Sequence, residues 1–102
     1  MTGGGPIAPR GPLPQGSEAY RTIGPFDAAT LPAGLRRTHD LKDGTWGRIS
    51  LDAGKLVFVW EDAQGGREEL LAPAELIVPP RVPHHVEGDE FRLSITFLRE
   101  AD

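Results

Sequence analysis

The residues in this chain that are best suited to chemistry are its three histidines, His39, His84 and His85. Neutral imidazole is the commonest protein ligand for transition metals. His84 and His85 directly follow residues 79–83, which contain three prolines. Each proline ring fixes φ and removes a backbone donor, so this turn is stiff and delivers the next side chain at a defined angle. The pattern therefore predicts that an imidazole after the turn is held in one orientation.

Only one imidazole of the adjacent pair can share a site with His39. We expect the segment after the proline turn to be extended, so the side chains of His84 and His85 point to opposite faces. Two histidines on neighbouring strands, helped by a carboxylate, suit Zn(II), Fe(II), Mn(II) or Ni(II). The alternative interpretation is that these histidines are surface residues or hydrogen-bonded turn anchors. Spacing alone does not separate the two.

Polar side chains alternate with apolar ones on two further segments. Arg48 and Ser50 alternate in one segment, and Arg92, Ser94 and Thr96 in the other. Alternation favours the interpretation that these polar residues face solvent. In the alternative they line the polar interior of a small barrel. In that case Arg48 and Arg92 would supply the positive charge that an oxyanion needs.

Composition restricts the class of protein. The chain has 102 residues, enough for one domain with a modest core. A net charge of −4 argues against a nucleic-acid binder, and the absence of cysteine rules out disulfides and thiolate metal sites. The sequence has neither a run of about 18 apolar residues nor the pattern of a secretory signal. We therefore expect a cytoplasmic protein that binds neither nucleic acid nor membrane.

Glycine and proline dominate the start of the chain, and short strand-like runs dominate the remainder. We expect residues 1–18 to be a disordered tail and residues 19–102 to form one domain. The patterns predict about eight strands, at 20–23, 35–39, 45–51, 55–61, 67–71, 75–78, 84–87 and 90–99. Because the connections are too short for crossovers, the strands pair antiparallel. The predicted fold class is an all-β sandwich or barrel.

A series of short motifs follows in order from Tyr20 to Leu98: Tyr20-Arg21-Thr22, Phe26-Asp27, Thr30-Leu31-Pro32-Ala33, Leu35-Arg36-Arg37, His39, Gly44-Thr45-Trp46-Gly47, Pro79-Pro80, Pro83-His84, Val86-Glu87, and Arg92-Leu93 through to Phe97. This series resembles the TehB/YeaR-like domain. That domain is a small cupin-like module, found alone in bacteria and fused ahead of the methyltransferase in some tellurite-resistance proteins. No methyltransferase follows here, so the chain is similar to the stand-alone form.

The resemblance implies a cupin-like double-stranded β-helix, or jelly-roll. It also implies a divalent metal between His39 and His84. The family often has an acidic residue on its last strand, and the matching position here is Thr96. A facial set of two histidines and a carboxylate would therefore lack its carboxylate.

Three functions are compatible with these observations. The first is a small binding module in bacterial stress or tellurite and oxyanion resistance. Its metal (Zn, Fe, Mn or Ni) would bind His39 and His84, and its small molecule or oxyanion would contact Arg48, Arg92 and Thr96. The second is a metal-dependent cupin enzyme of the oxygenase or isomerase kind. The third is a non-catalytic module that forms a homodimer through an edge strand. The sequence identifies neither the ligand nor a catalytic residue.

Overall fold

Six β-strands and one 3₁₀ turn form the part of the chain that the computed structural model describes, residues 6–100. The strands are β1 (Glu18–Asp27), β2 (Thr45–Trp60), β3 (Arg67–Leu71), β4 (Ala74–Val78), β5 (His84–Glu87) and β6 (Phe91–Arg99), and the 3₁₀ turn spans Ala33–Arg36. None of the helical structure within residues 6–100 is long and apolar enough to cross a membrane.

The long strand β2 organises the fold, because it pairs with four of the other five strands. Its first half pairs with β6 and β4, and its second half pairs with β3 and β5. β1 joins the first group through β6, and every one of these pairings is antiparallel. The result is a cupin-like jelly-roll of two sheets, β1-β6-β2-β4 and β3-β2-β5, that share β2.

β2 passes from one sheet to the other at Gly54. Its register with β6 shifts between Leu51 and Ala53. Gly54 has a φ of +76°, and a Cβ atom there would lie 2.0 Å from the carbonyl oxygen of Glu90. Only glycine permits this φ together with such a close approach of two backbones. The turn-forming sequence at residues 52–54 therefore makes a bend within one strand.

The predicted all-β class is confirmed, but residues 6–100 contain six strands instead of about eight. The predicted strands 45–51 and 55–61 are the two halves of β2. The predicted strand 35–39 is not a strand, because Leu35 and Arg37 donate their backbone N–H groups to Pro32 and Gly34 in the 3₁₀ turn. Within that segment His39 alone makes a β-bridge.

The core lies between the inner faces of the two sheets. Alternation along β2 sends every second residue inward, so that Ile49, Leu51, Leu56, Phe58 and Trp60 are buried. On β6, the inward-facing residues are the odd-numbered ones, which lie opposite the inward-facing residues of β2. Burial of these apolar side chains is the main stabilising contribution to the fold.

Residues 6–17 contact both sheets, which differs from the expected disordered tail. Ile7 forms a parallel bridge with Leu76 and exchanges two backbone hydrogen bonds with β4. The Arg10 guanidinium binds both carboxylate oxygens of Asp62 at 3.0 Å, donates to the carbonyl of Gly65 at 2.8 Å and lies 4.6 Å from the centre of the Trp60 ring. This part of the chain is therefore a strap across one end of the molecule. Residues 1–5 of the predicted tail lie outside the described residues.

Candidate functional site

An apolar cavity of about 90 Å³ lies between the two sheets. Among the described residues that line it, only His39 and His84 have polar side chains. The others are Ile23, Leu31, Leu35, Leu41, Gly47, Ile49, Val78, Val86, Leu93, Ile95 and Phe97. The two histidines are therefore the groups that can give this cavity directional chemistry.

The structure brings His39 and His84 together through their backbones. His84 is the first residue of β5, and His39 lies in the extended segment after the 3₁₀ turn. Each donates its N–H to the other's carbonyl, at 2.9 Å from His39 and 2.8 Å from His84. The two imidazole centres are 4.3 Å apart, with the ring planes at 66°. The proline turn is tied to the same segment, because the N–H of Arg81 donates to the carbonyl of Leu41 at 2.8 Å.

Both imidazoles have the same tautomer, set by a backbone carbonyl. The Nδ1 of His39 lies 2.9 Å from the carbonyl oxygen of Arg37, and that of His84 lies 2.8 Å from the carbonyl oxygen of Val82. Because a carbonyl only accepts, each Nδ1 carries the hydrogen. In a neutral ring Nε2 then keeps its lone pair, and no described residue hydrogen-bonds to either Nε2. In metal-binding histidines, the ring nitrogen that does not bind the metal usually donates to such an acceptor.

Burial keeps His84 neutral. Its side chain is 4% exposed and stacks on Phe58, with ring centres 4.8 Å apart and planes at 24°. Loss of hydration disfavours the imidazolium and lowers the pKa of His84 from 6.5 to about 4, although the hydrogen bond to Val82 acts in the opposite direction. At neutral pH the Nε2 of His84 is therefore an acceptor.

His85 points to the outer surface, as alternation predicted. Its Nδ1 lies 2.7 Å from a carboxylate oxygen of Glu61, and its Nε2 lies 2.7 Å from one of Glu87. Both partners are acceptors, and this arrangement favours the imidazolium form of the ring, in which both nitrogens carry hydrogen. The hydrogen bond to Glu87 is the largest cause of the raised pKa of His85, and Glu61 adds to it. The hydroxyl of Thr38 donates to the same oxygen of Glu61.

The structure places Arg48, Arg92 and Thr96 outside the cavity. Arg48 and Thr96 lie opposite each other on β2 and β6, on the faces that point away from the cavity-lining Gly47. Arg48 lies 3.9 Å from a carboxylate oxygen of Glu75, and Arg92 is exposed. Alternation favoured a solvent-facing side for these residues. Arg92 is exposed and Arg48 is half-buried, but Thr96 is only 7% exposed, although it too lies outside the cavity. The barrel-lining interpretation of the two arginines does not hold.

Thr96 cannot stand in for a missing metal ligand. Its hydroxyl lies 3.0 Å from that of Thr22 on β1, outside the cavity. The side chain of an acidic residue at position 96 would also point away from the cavity. Within residues 6–100, no group of three or more histidine, aspartate or glutamate side chains is placed to hold a metal ion.

Sequence reasoning missed two residues that shape this site. Phe58 stacks on His84. Because its strand is apolar on both faces, the sequence predicted only that Phe58 lies in the core. Glu61 follows that strand and bonds the chain neighbours of both cavity histidines. No spacing signal in the sequence links it to Thr38 or His85, because the three meet only through strand register.

Comparison with known proteins identifies the family of the chain. The model of the TehB-like domain matches residues 21–95, which include both cavity histidines. The chain belongs to the TehB-like domain family. No curated protein sequence matches the chain.

Solved structures share the fold of this TehB-like domain. TehB from Haemophilus influenzae superposes with a TM-score of 0.76 at 23% identity, over 84% of this chain and 32% of TehB. A protein from E. coli strain K12 superposes with a TM-score of 0.79 at 22% identity, over 89% of this chain and 98% of that protein. The Fe(II) form of HppE gives a TM-score of 0.50 at 15% identity, over 67% of this chain and 36% of HppE. The chain thus spans about a third of TehB and nearly all of the E. coli protein.

Proposed function

We propose that this TehB-like domain is a small cupin-like binding module that holds a divalent metal ion through Nε2 of His39 and Nε2 of His84. The observation that carries the proposal is the shared tautomer. Each Nδ1 donates to a backbone carbonyl, so both rings keep an Nε2 lone pair while lining one cavity. A bound ion would supply a Lewis acid that coordinates an oxygen or nitrogen atom of a small molecule.

The donor set fits some metals better than others. Two neutral imidazoles suit Zn(II) and Ni(II), whereas Mn(II) prefers carboxylates and a non-haem Fe(II) centre usually has two histidines and one carboxylate. None of the described residues that line the cavity carries a carboxylate. The remaining coordination positions would therefore be filled by water or by the bound molecule. This incomplete set weighs against the metal-dependent enzyme, although HppE, which shares the fold, is an Fe(II) protein.

Direct binding of a compact apolar molecule is the second candidate. Apart from the two imidazoles, the lining is aliphatic, aromatic or glycine. A ligand with one hydrogen-bond donor would fit such a cavity, with the donor bonded to Nε2 of His84 and the remainder packed against apolar side chains. In this case His39 and His84 act as acceptors and no metal is needed.

A link to tellurite or other oxyanions rests on membership in the TehB-like family. The cavity gives it no support of its own, because the pKa of His84 is lowered and both arginines lie outside. An oxyanion in the cavity would need a metal to neutralise its charge. Comparing the tellurite tolerance of bacteria that express the wild type with that of bacteria that express His84→Ala tests this link.

Titration with Zn²⁺ and Ni²⁺ tests the metal proposal. Calorimetry on protein purified without a metal column should show one site, and elemental analysis should show the retained metal. His84→Ala should weaken binding by more than about tenfold. His85→Ala removes the neighbouring imidazole on the opposite face and keeps both proposed metal-binding nitrogens, so it should weaken binding clearly less than His84→Ala. Equal affinity in wild type and His84→Ala would refute the metal site and leave the apolar-ligand candidate.

The homodimer remains a separate proposal, and two strand edges are relevant to it. Within residues 6–100, β1 and β3 each pair along one side only. β1 has two register shifts with β6 and contains Pro25, features that disfavour pairing along an edge. β3 is therefore the better candidate. Light scattering on the wild type and on Glu69→Pro would show whether a dimer forms and whether this edge is needed.

A further inference from the structure

The two cavity histidines have partners on the opposite side of the same backbone bridge. The bridge between His39 and His84 is antiparallel. In that register Thr38 lies opposite His85, and adjacent residues of extended chain point to opposite faces. His39 and His84 therefore form the inner side of a two-residue ladder, and Thr38 and His85 form its outer side.

Glu61 joins the two members of the outer pair. One of its carboxylate oxygens accepts from the Thr38 hydroxyl and from His85 Nδ1, the latter at 2.7 Å. Its own N–H donates to the carbonyl of Pro83 at 2.8 Å, which fixes it beside the start of β5. One carboxylate oxygen thus links the segment that carries His39 to the strand that carries His84.

Glu61 contributes one of the few contacts that hold the His39 segment in place. Within the described residues, the segment 37–41 is joined to β5 by the single β-bridge at His39. The bridge fixes two hydrogen bonds, and the N–H of Arg81 holds the segment at Leu41, two residues after His39. On the other side of His39, the segment is held at Thr38 by Glu61. This attachment lies one residue from the bridge, and a charge-assisted hydrogen bond is stronger than a neutral one.

We infer that Glu61 is a positioning residue for the cavity: by bonding Thr38 and His85 on the outer surface, it fixes how His39 and His84 lie against each other inside. The inference deepens the proposed function, since a ligand held by both rings needs them at a fixed separation. The effect of Glu61 on the arrangement of the two rings does not depend on which ligand binds. Glu61 itself lies on the outer surface and touches neither the cavity nor a bound group.

Three variants of the full chain test this role. Glu61→Leu removes the acceptor at similar size, and Glu61→Gln keeps a side-chain oxygen. Glu87→Leu is the matched control, because Glu87 bonds the other nitrogen of His85 and does not contact Thr38. Two NMR measurements without added ligand report on the cavity: exchange of the His39 amide hydrogen, and the ¹⁵N shifts and inter-ring contacts of the two imidazoles.

Glu61→Leu should speed exchange of the His39 amide about tenfold and weaken the contact between the rings. Glu61→Gln, which keeps an acceptor oxygen but loses the charge, should lie between Glu61→Leu and the wild type, and Glu87→Leu should match the wild type. If Glu61→Leu and Glu87→Leu behave alike, the inference is wrong. If Glu61→Leu does not fold, Thr38→Val removes one donor at nearly constant shape and must show the same two changes, or the inference fails.

Titration with Ni²⁺ separates this inference from the proposed function. NMR changes in Glu61→Leu support the positioning role even if the wild type binds no Ni²⁺, in which case only the metal site is refuted. If the wild type binds Ni²⁺, Glu61→Leu should bind about tenfold more weakly. Equal Ni²⁺ affinity together with unchanged ring signals would overturn the positioning role and leave the metal site standing.

Discussion

Burial of His84 should make the stability of the fold depend on pH in a way that a single substitution removes. His84 is 4% exposed, and burial lowers its pKa from 6.5 to about 4. In the unfolded chain this imidazole takes up a proton as the pH falls below 6.5. In the folded protein it stays neutral until the pH approaches 4. Between these values the unfolded state binds more protons, so the free energy of unfolding falls as the pH is lowered.

The size of this effect follows from the two pKa values. A difference between 6.5 and about 4 corresponds to a loss of roughly 3 kcal/mol, complete once the pH is below about 4. For a domain of this length, such a loss lowers the melting temperature by roughly 10–20 °C. The lowered pKa values of Glu61 and Glu87 add a further loss as the pH falls through the range in which carboxylates titrate. The pH dependence of the wild-type free energy of unfolding therefore contains contributions from several titrating groups.

A difference curve isolates His84. Urea unfolding of the wild type and of His84→Gln should be measured from pH 4 to pH 7.5, since glutamine is neutral throughout and every other group is shared. The wild-type value minus the variant value should decrease by about 3 kcal/mol between the upper and lower limits. A difference that is constant with pH would show that His84 is hydrated in the folded state. The reasoning about Nε2 as an acceptor in a dry cavity would then be wrong.

Four further substitutions, two of them a matched glycine pair, test other parts of the structure. Gly44 and Gly54 have similar φ values of +81° and +76°, but only Gly54 is crowded. Gly44→Ala should cost about 1 kcal/mol and Gly54→Ala several times more, as measured by thermal unfolding; equal costs would contradict the assigned bend in β2. Phe58→Ala should lower the free energy of unfolding in urea by about 3–5 kcal/mol, because this fully buried ring supports the core and the site; a loss below 1 kcal/mol would contradict its assigned packing. Arg10→Ala should shift Trp60 fluorescence to longer wavelength, because the guanidinium covers that ring; an unchanged spectrum would argue against the strap.

The strands that the sequence predicted well are those whose two faces differ in polarity. β6 alternates apolar and polar residues from Phe91 to Phe97, and its observed bounds differ from the predicted strand by one residue. β3 and β5 match their predicted bounds. The prediction divided β2 in two at Gly54, because a glycine with positive φ serves equally well in a hairpin turn and in a bend. Only the contact with Glu90, distant in sequence, distinguishes the two.

The candidate site was predictable in part. Alternation placed one imidazole of the adjacent pair inward, and family resemblance pointed to His84 and His39. The arginines were harder to assign, because an outward-facing polar side and a polar barrel interior give the same pattern of residues. The strap was missed because glycine and proline make residues 6–17 look unstructured, whereas its stability comes from a few specific contacts such as Arg10 with Asp62. Contacts between distant positions have no local signature.

The sharing of β2 between both sheets has a consequence for how the domain unfolds. The core lies between the two sheets and β2 runs through both, so loss of either sheet would expose the core side of the other. We therefore expect the domain to unfold as one cooperative unit. Trp46 and Trp60, which lie in opposite halves of β2, serve as natural reporters of a single two-state transition.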